Sequence, residues 1–299
     1  MSEVGVFRTW RVNCMNVEID HTSLRRLPNV DHAGDGDLRL RYLAGGAMET
    51  PTMATSMAEG YSNRVSEYVS GRPEYPVALL SDLPLGDTVI DLGAGTGKFT
   101  ELLALSGKRI LAVEPIDKMA ARIPVDRLAA VEVLIGSAES IPAPDRVAGL
   151  VCSATAFHWF DYEKATREIF RVLKPDGVLA LIWNVRDDRV PWVAAFSRIM
   201  DNYAGETPRQ STGKWRVIFD DARFRHLASK SYPFSQPMPP SGILDRALST
   251  SFIAVLPGDE QDRVRTEVER VIQNDPALIG HDMVAFPYVT ELHLFLKQG

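Results

Sequence analysis

The sequence predicts an α/β fold, doubly wound around a mostly parallel sheet. Two observations carry that reading. Unbroken apolar runs recur at 88–91, 110–115, 131–135, 147–152 and 178–184, separated by helix-forming stretches. Strands of a parallel sheet covered on both faces read as such runs, whereas half-exposed strands alternate. The first run also passes directly into Asp91-Leu92-Gly93-Ala94-Gly95-Thr96-Gly97-Lys98, with glycines at alternate positions and helix formers from 99 to 105 behind them. A strand that feeds a glycine-rich turn and then a helix brings backbone N–H groups close to a ligand, because glycine has no Cβ to hold it off.

The elements follow in order. Residues 1–55 show no lasting apolar periodicity and carry a Gly/Asp-rich stretch at 31–37. A mobile extension is expected there, ahead of a domain at 56–299. Met48, Met53 and Met57 are alternative starts if the extension reflects an over-long start assignment. Tyr61, Val65, Tyr68 and Arg72 fall on one helix face, and Pro73 ends that helix. A short helix at 76–82 leads to the first strand. The second strand ends in Glu114, and the third runs into Gly136-Ser137-Ala138-Glu139. Asp161 is a good N-cap for a helix reaching 173, with Ala165, Ile169, Val172 and Leu173 facing inward. After Trp183-Asn184 the regularity breaks: residues 185–240 hold a helix at 191–203 and a loop rich in Gly, Thr and Pro. An insertion there falls over the carboxyl edge of the sheet and reads as a lid, or as a plain surface excursion. A helix at 259–273 and a strand at 283–297 complete the chain.

Composition narrows the function. The chain has 299 residues, 45% apolar and 24% charged, which are ordinary globular values. A net charge of −6 and the lack of a basic run argue against nucleic acid as a partner. The two cysteines, Cys14 and Cys152, make neither a metal spacing nor a disulfide framework, which fits a reducing cytoplasm. No apolar run is long enough for a membrane span, and no signal-peptide pattern opens the chain.

The spacing of the turn selects a ligand. A dinucleotide fingerprint wants G-x-G-x-x-G. Here the third glycine, Gly97, comes one residue early, and Lys98 stands where that pattern wants glycine. The P-loop pattern is absent. An acid followed by alternate glycines suits a cofactor that lacks a pyrophosphate and carries an amino group. Glu114, at the end of the second strand, is placed to reach both hydroxyls of a ribose.

These residues resemble the class I S-adenosylmethionine-dependent methyltransferases, and most of all the methyltransferase type 11 group, with its ubiquinone-biosynthesis and trans-aconitate methyltransferase relatives. The stretch from Asp91 to Gly97 is similar to their first motif, Glu114 to their ribose-binding acid, and 136–139 to their adenine loop, with Ser137 where the family often has Asp. Residues 172–178 resemble the turn before their fifth strand; Tyr61, Tyr68 and 72–76 resemble a subgroup signature. The resemblance implies a Rossmann-like, doubly wound, mostly parallel seven-stranded sheet with an antiparallel last strand and a lid insertion at about 185–240. It implies S-adenosyl-L-methionine as cofactor, held by Tyr61, Tyr68, Arg72, Asp91, Gly93, Ala94, Gly95, Gly97, Glu114, Pro115, Ser137, Ala138, Glu139 and Ser153. The phenols and the Arg72 guanidinium suit the carboxylate of its methionine part.

The acceptor expected is a small molecule of secondary metabolism, methylated on O, N or C and met by Phe157, Trp159, Trp183 and Asn184. His158, after strand four, is the candidate catalytic base, with a role as pocket wall the alternative. Asp187 and Asp188 read as a solvated loop pair or as partners of a cationic acceptor. A nucleic-acid-modifying methyltransferase and a catalytically silent cofactor-binding protein are the competing readings.

Overall fold

The computed structural model describes residues 72–128 and 130–299. The extension expected at 1–55, the helix of Tyr61 and Tyr68, and those two tyrosines lie outside the described residues.

Seven strands form one sheet. They are β1 Thr88–Leu92, β2 Arg109–Glu114, β3 Val131–Ile135, β4 Ala148–Ala154, β5 Leu173–Arg186, β6 Phe224–Met238 and β7 Val284–Lys297. Their spatial order is β3-β2-β1-β4-β5-β7-β6. The first five pair in parallel, and β7 lies antiparallel between β5 and β6. The expected α/β sheet with an antiparallel last strand is therefore present. The order reverses beside β1, so the carboxyl ends of β1, β2 and β4 meet at the crevice where open α/β sheets bind ligands.

Helices cover both faces. On one face α1, Lys98–Ala104, sets Phe99, Leu102 and Leu103 against Val89, Leu150, Cys152, Ala180 and Ile182. A 3-10 helix at Val77–Asp82 adds Leu79 to that layer. A short α2, Asp117–Ala120, follows β2. On the other face α3, Tyr162–Val172, sets Ala165, Ile169 and Val172 against Ile90, Val151, Leu179 and Leu181. The Asp161 carboxylate accepts from the Lys164 amide, so the expected N-cap forms.

The second half has a core of its own. Helices α4 Pro191–Asn202, α5 Pro240–Leu248, α6 Ser251–Ala254 and α7 Gly258–Asn274 enclose Val193, Phe196, Ile243, Ile253, Val264 and Val268. This cluster includes Val284, Phe286 and Tyr288 at the start of β7. Tyr288 pairs with Arg186, the last residue of β5, so the helical cap stands at the carboxyl end of that strand. The span 185–240 thus contains more than a helix and a loop. It holds the edge strand β6, 15 residues long, which contains no apolar run. Only its end residues, Phe224 and Met238, are buried, and it carries Pro233 and Pro237. Proline and exposed polar residues are how proteins blunt an edge strand, and they also erase its sequence signal. Among the described residues no helix is long and apolar enough to cross a membrane.

One contact sets the spacing of β4 against the segment entering β1. A Cβ on Gly149 would stand 2.9 Å from the Cα of Gly86, and one on Gly86 would stand 2.8 Å from the Cα of Gly149. Backbone faces backbone, so no flexible side chain can yield. Gly149→Ala is expected to destabilise by about 1–3 kcal/mol, as overpacking does. Urea unfolding followed by circular dichroism should show a lower midpoint at an unchanged slope; an unchanged midpoint would show that the lead-in to β1 moves freely.

Candidate active site

The glycine turn closes over the end of β2. The amides of Gly93 and Ala94 both donate to the Val113 carbonyl, at 2.9 and 3.1 Å. Gly93, Gly95 and Gly97 have φ of +75°, +60° and +92°, conformations that a Cβ disfavours. Their surroundings differ. A Cβ at Gly93 would lie 2.6 Å from the Ala156 Cβ, and one at Gly97 would lie 3.2 Å from Ile123. Those two are packed against protein. A Cβ at Gly95 would meet only the Met119 Cε, at 3.5 Å, so space remains open beside it.

Glu114 holds the middle of that turn. Its Oε2 accepts from the Gly95 amide at 2.9 Å, and its Oε1 accepts from the Ile116 amide at 3.1 Å. Burial raises its carboxyl above the usual range, and the two amides oppose that rise. Asp91 is fully buried one strand away. Its Oδ2 accepts from the Thr100 hydroxyl at 2.6 Å, while Oδ1 is buried without a partner. Burial pushes its carboxyl up to about 7; the Thr100 bond opposes this and the nearby Glu114 charge adds to it. A buried carboxylate oxygen with no donor is costly and marks a place where a donor is missing.

The segment after β4 is the third part. Thr155 has φ of +56°, and its Oγ1 lies 3.1 Å from the Tyr75 hydroxyl. Tyr75 also packs edge-on against Phe99. His158 is half-buried in the 3-10 turn Phe157–Trp159. The indole N–H of Trp183 donates to its Nδ1 at 3.2 Å. That bond uses the Nδ1 lone pair and leaves the ring proton on Nε2. Burial, followed by the charge of Arg72, lowers His158 to about 3. The neutral ring therefore presents an N–H donor instead of a free lone pair, which opposes the base role expected for it in the ligand-free arrangement.

The remaining expected residues are distributed unevenly. Ser153 is fully buried, and its Oγ has no partner. Pro115 is exposed beside Glu114, and Ser137 is half-buried in a bridge to Ser140. Ala94 and Ala138 pack into apolar clusters. The Glu139 Oε1 accepts the Asp161 amide at 2.8 Å and so serves the start of α3. Phe157 is a core residue, edge-on to Phe160 and Tyr162. Trp159 lies 5.3 Å from the His158 ring. Trp183, 1% exposed, packs against Trp215 with ring centres 4.5 Å apart and the planes tilted by 38°. The Asn184 amide donates to the Glu74 carbonyl at 3.1 Å and accepts from Thr290 at 2.6 Å, tying the turn after Arg72 to β5 and β7. Asp187 is paired with Arg189, and Asp188 accepts from Ser197, so the two acids form an internally satisfied loop.

Sequence reasoning missed Thr100, Tyr75, Thr155 and Met119. Of these only Thr100 left a signal, as a polar residue on the inward side of the first turn of α1. The other three depend on long-range packing.

Comparison with known proteins agrees with this arrangement. A methyltransferase-domain family matches residues 90–181. Over 241 residues the chain is 36% identical to an uncharacterized methyltransferase-like protein of Schizosaccharomyces pombe, covering 77% of this chain and 92% of that protein. It is 33% identical over 238 residues to an uncharacterized methyltransferase of Mycobacterium tuberculosis, covering 78% and 94%. The solved structure of a candidate type II methyltransferase from Anaeromyxobacter dehalogenans shares the fold, with a TM-score of 0.61 at 19% identity over 76% of this chain and 97% of that one. With the glycine turn, the acid after β2 and relatives matched along nearly their whole length, the chain belongs to the class I S-adenosylmethionine-dependent methyltransferases, in the methyltransferase type 11 group.

Proposed function

We propose that this methyltransferase acts on a small molecule held between the carboxyl end of β5 and the helical cap. The observation that carries the reading is the cap itself. Its helices form a separate apolar core directly beyond Arg186, over the edge of the sheet that the acceptor has to approach, and this supports a small acceptor over a polymer. The net charge of −6 supports the same choice over nucleic acid.

The residues present fit S-adenosylmethionine. The open side of Gly95 gives the cofactor room to approach the turn. Each Glu114 oxygen accepts one backbone amide and keeps a second lone pair for a ribose hydroxyl. The orphaned Oδ1 of Asp91 lacks a donor that an ammonium group supplies. When bound, the cofactor supplies a methyl group on a positively charged sulfur, already activated for displacement.

The chain has to orient the acceptor and keep water out. Trp183 and Trp215 wall the end of β5 with two rings in contact. His158, fixed by the Trp183 donor, offers its Nε2–H to an acceptor oxygen or to bound solvent. It holds a proton at that nitrogen and takes none. An acceptor that arrives without a proton to lose needs no base, and the site is then complete with position and exclusion alone.

Two outcomes follow. Asp91 titrates near 7, against an ordinary 3.8. A cation settling beside it drives off its proton, so S-adenosylhomocysteine should bind more tightly as pH rises from about 6 to about 8. The slope is at most about tenfold per pH unit below 7 and flattens above it. Without ligand the same shift lowers stability as pH rises from about 4 to about 7, since over that window the folded state holds the proton and the unfolded state does not. Calorimetry in two buffers of different ionisation heat should detect proton release, and Asp91→Asn should abolish it. A flat profile in the unmodified enzyme would separate Asp91 from the ammonium.

His158→Ala should lower kcat/KM by about tenfold or less, the scale of one neutral hydrogen bond. Loss of a true base would cost about 10²–10⁴. The pH profiles of the unmodified enzyme and His158→Gln should run parallel between about pH 5.5 and 8. An inflection that disappears with the histidine would restore the base role.

A further inference from the structure

Arg186 and Arg246 are two inward-placed arginines that make no direct ion pair. Arg246 lies in α5 and is 7% exposed. Its Nε donates to the Tyr288 hydroxyl at 3.3 Å and its Nη1 to the Thr250 hydroxyl at 3.4 Å. Both partners are neutral, both contacts are long, and no ion pair includes this guanidinium. Arg186 ends β5 directly opposite Tyr288 in the β5–β7 register. Its Nε donates to Ser197 at 2.8 Å, and Ser197 in turn donates to Asp188, so a hydroxyl stands between this cation and that carboxylate; Asp188 and Asp201 act on it only through space. Phe196 covers it, with the guanidinium carbon 5.5 Å from the ring centre. Burial holds Arg186 below the usual arginine range, and the charge of Arg246 adds to that effect. The two cations therefore face each other across Tyr288.

Such a pair is expensive in a closed core. A buried charge needs an opposite charge or a full set of hydrogen bonds, and replacing it by an apolar residue of similar size is often neutral or stabilising. The cap already has the apolar residues to pack without it: Phe196, Ile243, Phe286 and Tyr288 are all within one cluster. Arg246 also sits in an amphipathic helix, one turn from the solvated side. Its inward placement is thus not forced by packing. The position is informative too, because Arg186 lies on the strand that carries Trp183 and Asn184, at the carboxyl edge. Guanidinium groups bind planar oxyanions through paired N–H donors, and here the Nη groups of Arg186 and the Nη2 of Arg246 make no hydrogen bond among the described residues.

We infer that Arg186 and Arg246 form an oxyanion pocket in the cap, and that the methyl acceptor carries a carboxylate or phosphate group that docks there. This rests on the proposed placement of the acceptor beside the cap. The anion serves as a handle: it anchors the acceptor at one end while the Trp183 and His158 side receives the group to be methylated. It also inverts the charge preference that Asp187 and Asp188 suggested, since those acids are used up by Arg189 and Ser197.

The test uses the full chain saturated with S-adenosylhomocysteine, titrated with succinate, with inorganic phosphate and with succinamide as the neutral isostere. Thermal shift and calorimetry give the readouts. Succinate or phosphate should raise Tm and succinamide should not; the anion that binds more tightly identifies the handle. Arg246→Met should weaken that binding at least tenfold while leaving S-adenosylhomocysteine affinity unchanged, and its own Tm without anion should be equal or higher. Arg246→Lys should restore part of the response, which covers the case of a poorly folded methionine variant. Absence of a shift with both anions, an equal shift with succinamide, or an undiminished shift in Arg246→Met would overturn the inference. Failure of the unmodified chain to bind S-adenosylhomocysteine would sink the proposed function instead, and that measurement is read separately.

Discussion

The double hydrogen bond of Glu114 is the constraint on which the site depends. One carboxylate receives the Gly95 amide from the turn after β1 and the Ile116 amide from the turn after β2. Two loops that leave adjacent parallel strands are thereby fixed to each other. The turn after β1 takes its shape from glycines at positive φ, which are costly to order and gain little from side-chain packing. A charge-assisted bond to the middle glycine offsets that cost where no side chain can. The same carboxylate is 4% exposed, so its charge would be unfavourable without the amides. Turn and acid thus stabilise each other, and neither arrangement is reached by the sheet alone.

Charge is divided along the carboxyl edge. Asp91 and Glu114 put two buried acids at the ends of β1 and β2, close enough that the Glu114 charge disfavours ionisation of Asp91. Arg186 and Arg246 put two cations at and beyond the end of β5. A cationic group is drawn toward the first pair and an anionic group toward the second. Low-dielectric surroundings strengthen such sorting over what the same charges would do at the surface.

The first half of the fold was legible because its central strands are buried on both faces. An unbroken apolar run, such as Ile110 to Val113, has one reading when a glycine turn precedes it and an acid ends it. Glu114 could be found for the same reason: it is the only acid at that strand end. Strand β6 was not legible, because an edge strand shows the opposite pattern. Its inner residues, including Arg225, Ser229 and Ser231, are exposed, and Pro233 and Pro237 read as turn signals. Helices α5 and α6 are short, at 9 and 4 residues, and carry too few turns for a periodic pattern. Arg246 was invisible for a different reason. Arginine in a helix reads as a solvated residue, and only the fold shows that it points at Tyr288. Glu139 and Phe157 matched a pattern by position, yet the structure uses the first at the start of α3 and the second in the core. Position along a strand end was readable; the direction of a side chain was not.

The Trp183–His158 bond connects this fold to its chemistry. Indole nitrogen only donates, so its partner must accept, and that fixes the tautomer of the ring without any charged group. Trp183 is itself held by packing, being 1% exposed and in contact with Trp215, which packs in turn against His293. Rotation of His158 to free its Nδ1 would leave a buried indole N–H unpaired, at a cost of about 1–3 kcal/mol. Protonation of Nδ1 would cost the same bond and add a charge beside Arg72. Both routes to a basic histidine therefore work against the packing of one tryptophan. The arrangement favours a neutral N–H donor at this position, and an in-line transfer gains from groups that are held in place.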